Sequence, residues 1–375
     1  MRVLQVNKLY YPETGGIENT VQQIAEGLNT VVDMTVLVSK QFGRPEIQYI
    51  NKVKVIKAGS IGILHSVPIS LSFFYYFYKL SKKHEIIHIH MPFPLADLAC
   101  LLSGYKGKII VWYHSDILRQ KKWLRLYKPL LYWLLKRADK IIVATQGNIN
   151  GSVYLKQYQH KCEIIPFGVN SVIEKASLKY INNSAAFQEI KKNVRFLFVG
   201  RLVYYKGCDV LIKAFKNIPN VSLKIIGDGV LKKRLIELVH ENHLEHCVEF
   251  LGNVNQKTLI QHYKECDVLV FPSNYNSEAF GLVQIEAMSF GKPIINTRLS
   301  TGVPYVSRHM DTGLTVTPND VNELREAIIW MCKHPEERKK MGQRALLKVK
   351  KEYSLDIMLR HLYKTYEEIL EDSVE

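Results

Sequence analysis

At 375 residues with 47% hydrophobic side chains, the chain is long enough for two domains of ordinary size and apolar enough to give each a core. A formal net charge of +16 calls for an anionic partner, and charge alone leaves a nucleotide, a nucleic acid and an acidic membrane face all open. The six cysteines are scattered without a C-x-x-C pair, and the first residues read as a strand rather than a secretory leader. A disulfide-stapled secreted protein is thereby disfavoured and a reducing, cytoplasmic setting expected.

Short β-rich runs alternate with helical patterns along the whole chain. In the first half strands are expected at Val3–Val6, Met34–Val38, Val53–Ile56, Ile86–His90, Ile109–Tyr113, Ile141–Ala144 and Glu163–Ile165. In the second half they are expected at Arg195–Val199, Leu223–Ile226, Val248–Leu251, Val268–Phe271, Ile294–Asn296 and Leu314–Val316. Such alternation specifies parallel sheets with crossover helices, an α/β doubly wound fold. So many strands exceed one ordinary sheet, so two are expected, divided after Pro166-Phe-Gly-Val169, where a polar stretch follows. Ligands in such folds bind at the carboxyl ends of strands. Two sheets facing each other would place both edges on one interdomain cleft.

The first such edge carries Gly15-Gly16, a turn that lets backbone amides face a ligand or simply connects strand to helix. The apolar stretch from Ile61 to Leu80 is broken by His65, Pro68 and Lys79 and does not read as a membrane span. Its later part, Leu71 to Lys83, is more aromatic than a soluble helix needs. His88-Ile-His90 puts two imidazoles on one strand face, but no Cys, Asp or Glu stands at ligand spacing around Met91-Pro-Phe-Pro94. No D-x-D occurs either, so a metal site is disfavoured.

Trp112-Tyr-His114-Ser-Asp116 ends the next strand and brings an imidazole and a carboxylate to the carboxyl edge; a core-satisfied histidine is the competing reading. Directly after it, Ile117 to Arg137 interleaves Lys121, Lys122 and Arg125 with Trp123, Leu124 and Tyr127. Such a basic amphipathic stripe, interrupted by Pro129, suits either an anionic bilayer surface or packing on the sheet.

In the second half, Gly200-Arg201 and Lys206-Gly207 place two cations in a strand-to-helix loop, where they would neutralise a diphosphate. Ile225-Ile-Gly-Asp-Gly229 and Phe250-Leu-Gly-Asn253-Val254 are further turns at the same edge, walls for a base or plain turn chemistry. Glu278-Ala-Phe280-Gly281-Leu282-Val283-Gln-Ile-Glu286 then runs from loop into helix, with Gly291 as its C-terminal cap. Unpaired amides near Phe280 to Val283 make an anion site, and two carboxylates beside it suit hydroxyl groups attached to that anion. A phosphate flanked by polyols reads as a nucleotide sugar. At the chain's end Ser354 reads as the cap of a last helix, Leu355 to Leu370.

Together, Glu278-x7-Glu286, Gly200-Arg201-x4-Lys206-Gly207, Gly15-Gly16, Gly227-Asp-Gly229 and Phe250-Leu-Gly-Asn-Val254 resemble the retaining glycosyltransferases built from two facing Rossmann-like domains, the GT-B architecture. The resemblance runs over nearly the whole chain. It implies an N-terminal acceptor-binding domain, residues 1–169 plus 356–375, and a C-terminal nucleotide-sugar-binding domain, residues 170–355, with the last helix crossing back. It implies that Arg201 and Lys206 hold the diphosphate with backbone from Phe280, Gly281, Leu282 and Val283. Glu286 would take the ribose hydroxyls and Glu278 the transferred sugar, with Gly16 approaching the phosphate and Asn253 among the donor-binding residues. His114 and Glu278 are the implied catalytic residues. Transfer would retain anomeric configuration, with no metal and no cofactor beyond a UDP- or GDP-linked donor.

A narrower likeness, carried by His114-Ser-Asp116, the basic helix and Thr301-Gly-Val-Pro304, is to bacterial enzymes that build surface polysaccharide on a polyprenyl-diphosphate lipid. It implies a lipid-linked glycan acceptor and peripheral association with the inner face of the cytoplasmic membrane, with Asp116, Lys121, Lys122, Trp123 and Arg125 on the acceptor and membrane side. Nucleic acid is not expected as a partner. A soluble acceptor, or a nucleotide-sugar epimerase of the same architecture, is the alternative.

Overall fold

A computed structural model describes residues 1–13, 15–64, 67–116, 121–182 and 193–371, the side chains of 121–123 excepted. The chain divides into two compact units, Met1–Gly168 with Leu355–Glu375, and Val169–Ser354.

The first unit holds β1 (Arg2–Val6), β2 (Asp33–Ser39), β3 (Glu46–Ile50), β4 (Val53–Ala58), β5 (Ile63–Leu64), β6 (Val67–Pro68), β7 (Ile86–Met91), β8 (Lys108–Tyr113), β9 (Lys140–Val143) and β10 (Cys162–Ile164). Eight of these form one sheet in the order β10-β9-β8-β7-β1-β2-β4-β3, parallel throughout except that β3 runs antiparallel to β4. β5 and β6 form a separate small hairpin. The central strands are buried along nearly their whole length because helices cover both faces, which is why they read as unbroken apolar runs.

Neither β3 nor the β5–β6 hairpin is expected from the sequence. Glu46-Ile-Gln-Tyr-Ile50 has no fully buried residue, so as an edge strand it lacks the apolar signature of its neighbours. Its hairpin to β4 turns on Asn51 and Lys52, both at positive φ (49° and 69°), the mirror-image turn whose twist matches two antiparallel strands.

The second unit holds β11 (Val194–Val199), β12 (Val221–Ile226), β13 (Val248–Gly252), β14 (Val268–Phe271), β15 (Ile294–Thr297) and β16 (Gly313–Val316), all parallel, in the order β13-β12-β11-β14-β15-β16. Every strand expected from the sequence is present in the two sheets. In both sheets successive strands depart in opposite directions from one point, between β1 and β7 in the first and between β11 and β14 in the second. That reversal is where a doubly wound fold opens a crevice at its carboxyl edge. At the amino edge β11 and β14 are pinned by a forked pair: Arg195 Nε and Nη2 donate to Asp267 at 3.1 and 2.9 Å, and the Arg195 backbone amide adds a third bond at 2.8 Å.

The last helix, Leu355–Glu371, belongs to the first unit. Its Leu359 lies against Gly27, where a Cβ would come within 2.4 Å, and Thr365 Oγ1 donates to Glu163 at 2.8 Å. Its buried face carries Met358, Leu362, Thr365, Tyr366 and Ile369, while Ile357 and Leu359, which the helical spacing also places on the apolar stripe, are only half-buried. Among the described residues no helix is long and apolar enough to cross a membrane.

Candidate active site

In the second unit the loops after β11 and β14 meet at the reversal point. Asn274 N donates to Tyr205 O at 2.9 Å, and Gly207, at φ 63°, faces the Pro272 carbonyl so closely that a Cβ would lie 2.1 Å from its oxygen. Only glycine fits a position that combines left-handed backbone with such an approach. The two loops are joined further by an ion pair between Lys206 Nζ and Glu278 Oε2, each side chain 13% exposed. Ser273 Oγ also donates to Glu278 Oε2 at 3.2 Å, and the Lys206 ammonium stands 5.0 Å from the centre of the Phe271 ring. Arg201 lies on the same loop, exposed, and donates to the Tyr205 hydroxyl at 3.0 Å.

The stretch from Glu278 to Glu286 is built by its neighbours. The helix is Leu282–Ser289, with Gly281 as its N-cap at φ 81°; among the described residues no side chain caps it, which leaves the first-turn amides of Leu282 and Val283 to an anion. The sequence places that turn slightly early. Phe280 precedes the helix, its carbonyl accepting from Gln284 Nε2 at 2.8 Å, and Glu286 falls in the second turn. Gln284 is held in turn by buried Asn296, whose Nδ2 donates to Gln284 Oε1, Val303 O and Ser307 O, each at 3.0 Å. Gly302 N donates to Ala279 O at 2.8 Å. The loop is thus fixed from β15 as well as from β11.

Glu286 accepts from the Tyr263 hydroxyl through Oε2 at 2.7 Å. Burial pushes its carboxyl above the ordinary range and the tyrosine bond pulls it partway back. Both glutamates therefore share one arrangement: among the described residues, protein groups engage Oε2 of each and leave Oε1 over. A carboxylate oriented through one oxygen accepts a ligand hydroxyl through the other. Gly227 N donates to Gly252 O at 2.8 Å, and Gly227, at φ 129°, abuts the Gly200 carbonyl, so the loops after β12 and β13 join the same edge, with Asn253 exposed on it.

In the first unit Gly16 begins the helix Gly16–Leu28, with Gly15 extended before it. His114 follows β8 and is buried in a column of rings rather than standing alone. Its ring stacks on His90 at 5.2 Å and on Phe167 at 5.6 Å, while His88 stacks on His90 at 4.6 Å and on Trp112 at 5.8 Å. Gln5 Nε2 lies 2.9 Å from His90 Nε2, and His90 Nδ1 lies 3.0 Å from His114 Nε2. With the Gln5 amide nitrogen donating, His90 carries its proton on Nδ1 and His114 carries its own on Nδ1. Burial holds the His88 and His114 pKa values down to about 3 and that of His90 well below its ordinary value, so all three rings are neutral near pH 7. The His88–His90 pair is thereby bound to Tyr366, Gln5 and His114.

Asp116 receives hydrogen bonds from the hydroxyls of Tyr113 and Ser152, both at 2.7 Å, which brace the turn after β8. The basic helix runs unbroken over Lys121–Arg137 with Pro129 inside it, where the sequence suggests an interruption. Leu131, Leu134 and Leu135 are buried in the core, while Arg125 and Leu126 are exposed. The side chains of Lys121, Lys122 and Trp123 lie outside the described residues.

Sequence reasoning misses Tyr263, Ser273, Gln284 and Asn296, which orient the two glutamates and their loop. Ser273, directly after a strand and a proline, carries a positional signal; Tyr263 reads as an ordinary apolar helix residue and carries none.

Two doubly wound units, the second with cations, open helix amides and two oriented carboxylates at its reversal point, define a glycosyltransferase of the GT-B type. Residues 181–348 match the family described as glycosyl transferases group 1, and residues 14–171 match glycosyltransferase family 4. The D-rhamnosyltransferase WbpZ of Pseudomonas aeruginosa is 33% identical over 348 residues, 92% of this chain and 90% of its own. The O-antigen chain mannosyltransferase C of Escherichia coli is 30% identical over 377 residues, 99% of each chain. The crystal structure of Anabaena HepE in complex with UDP has the same fold, with a TM-score of 0.77 at 17% identity over 98% of this chain and all of that one. The chain belongs to the group 1 glycosyltransferases.

Proposed function

We propose that the enzyme transfers a hexose of manno configuration from a nucleotide-diphosphate sugar to a glycan carried on a polyprenyl diphosphate, in the synthesis of a surface polysaccharide such as O-antigen. The observation that carries the donor reading is the Lys206–Glu278 pair at the β11/β14 reversal, beside open helix amides. Lys206, Arg201 and the amides of Leu282 and Val283 hold the diphosphate. Glu286 takes the ribose hydroxyls through its spare oxygen and Glu278 those of the sugar. These fixed charges stabilise the negative charge that grows on the departing diphosphate, which is preorganised electrostatic catalysis. The chain has no D-x-D sequence, and the lysine and arginine supply the positive charge for which other transferases use a metal. Departure and attack on one face of the sugar would retain configuration. The sugar and acceptor readings rest on the two relatives, named for D-rhamnose, which is 6-deoxymannose, and for mannose on O-antigen. The basic helix Lys121–Arg137, with Arg125 and Leu126 outward, suits an anionic membrane face where such acceptors reside.

The test is thermal unfolding with EDTA present and GDP, UDP, GDP-mannose or UDP-glucose added. A nucleotide at a hundred times its Kd is expected to stabilise the donor unit by about 2.7 kcal/mol, a rise on the order of 5–10 °C. A shift with one base and its sugar supports the donor reading and names the base. No shift with any of the four without metal, and a shift once magnesium is restored, sinks metal independence.

A further inference from the structure

At the amino edge of the first sheet, opposite the edge that carries Gly16 and His114, the molecule holds a groove of about 760 Å³. Its floor is the start of β1 and β2, one wall is the β3–β4 hairpin, and the other is the end of the helix Leu71–Ser81. The two walls differ from the floor in chemistry. Ile47 and Tyr49 point outward on β3, 54% and 73% exposed, and face Tyr76 and Leu80 across the groove. Around this apolar slot stand Lys52, Lys54, Lys79 and Lys83, none of which forms an ion pair among the described residues. Arg2 lies at one end, its charge shared with Glu85, and Asp33 is the acidic residue of the lining. Between Glu46 and Glu85 the chain has no Asp or Glu at all.

A folded protein gains little by gathering unpaired lysines round exposed isoleucine and tyrosine. Like charges repel, and the apolar walls leave surface in water. The arrangement does suit a ligand that is anionic at one end and apolar at the other. The helix extends the same character away from the groove: Leu71, Tyr75 and Tyr78 face outward, with Lys79 5.7 Å from the Tyr75 ring and Lys82 3.9 Å from that of Tyr78, while Phe73, Phe77 and Leu80 fill the core. Leucine and tyrosine on the outer face of a helix leave apolar surface in water unless something covers them. Tyrosine and lysine at its outer face are the residues that settle at a bilayer's headgroup level.

We infer that this groove and the outer face of the helix Leu71–Ser81 dock the enzyme on an anionic phospholipid surface, with a lipid phosphate among Lys52, Lys54, Lys79 and Lys83 and its chains along Ile47, Tyr49 and Tyr76. The inference rests on the membrane reading of the proposed function, to which it adds a second surface, and it holds whether or not the donor reading does. It is also separate from the basic helix Lys121–Arg137. The experiment is co-sedimentation of the full chain with phosphatidylcholine vesicles, with and without phosphatidylglycerol. The unaltered protein is expected to bind only the anionic vesicles. Lys54→Gln, Lys79→Gln and Lys83→Gln together are expected to weaken that binding by on the order of a hundredfold, and raised salt to weaken it further. Tyr49→Trp supplies a reporter, read as the difference from the unaltered protein, whose own four tryptophans include Trp123 of the basic helix, and that difference emission moves to the blue on binding. The same variants, followed by nucleotide thermal shift, should keep their donor response, which shows that the fold and the donor site are intact. Unchanged vesicle binding by the triple variant overturns the inference. So does a loss confined to Lys121→Ser, Lys122→Ser and Arg125→Ser, or a reporter that stays unmoved while vesicles bind. If inorganic phosphate alone moves the reporter as vesicles do, the groove is a soluble-anion site and the docking inference fails.

Discussion

Glu278→Ala is expected to lower turnover of the sugar donor by at least about a hundred- to a thousandfold while nucleotide diphosphate still binds. Removing one preorganised polar group aimed at the reacting centre costs roughly 2.7–4 kcal/mol of transition-state stabilisation. The diphosphate contacts, Lys206 and the helix amides, remain in place, so the loss belongs in kcat rather than in nucleotide affinity. Lys206→Ala is expected to differ in kind. It removes the cation from the leaving group and leaves Glu278, of which only 13% is exposed, without its partner. Breaking a largely buried pair from either side costs about 3 kcal/mol of stability, so both variants should melt lower, and Lys206→Ala should lose donor affinity as well as turnover. Lys206→Arg should not restore activity, because a planar fork cannot fill the place of a compact ammonium packed against Phe271. Measuring both single variants and the double one gives the coupling of the pair. Normal turnover by Glu278→Ala would remove the central assignment.

That pair shows where sequence reading succeeds and where it stops. Lys206 and Glu278 stand 72 residues apart, and nothing in either neighbourhood says that they touch. What brings them together is topology: β11 and β14 are adjacent because the sheet reverses there, so any residue in the loop after one faces the loop after the other. The buried parallel strands are legible because both their faces are apolar, whereas β3 is hidden because an edge strand with exposed Ile47 and Tyr49 has no core face to report. The same strand supplies a wall of the basic groove, so a surface that the sequence does not reveal follows directly from an element that it does not reveal. His88-Ile-His90 is legible as two imidazoles on one face, but their partners Gln5, Tyr366 and His114 come from three other elements. Composition near the pair carries no trace of them. Tyr263 likewise orients Glu286 from the helix before β14, where it reads only as a core residue.

The ring column in the first unit is expected to make that unit acid-labile. His88 and His114, at about 3 in the fold against an ordinary value of 6.5, are neutral when folded and take protons when unfolded. For a base whose pKa is depressed by folding, the unfolded chain binds more protons below the ordinary value, so stability is lost as pH falls from about 6.5 toward 3. At about pH 5 each ring costs about 2 kcal/mol, and the same sign applies to His90. Asp97 opposes this. It is buried, hydrogen-bonded by the Tyr127 hydroxyl, and pushed by burial from 3.8 up to about 7, so its contribution is fully present at low pH and is lost as pH rises toward 7. Three histidines against one carboxyl leave a net fall, comparable at low pH with a sizeable part of a domain's ordinary margin of about 5–15 kcal/mol. Thermal unfolding between about pH 7 and pH 4 checks this: the transition of the first unit should move down steeply below about pH 5. Asp97→Asn should be more stable than the parent at neutral pH, because no carboxylate is then held in the core. It should also fall more steeply in acid, because the compensating group is gone. A melting temperature that stays flat over this range would mean that the histidines are charged or solvated in the fold, and the hydrogen-bonded column of neutral rings would have to be abandoned.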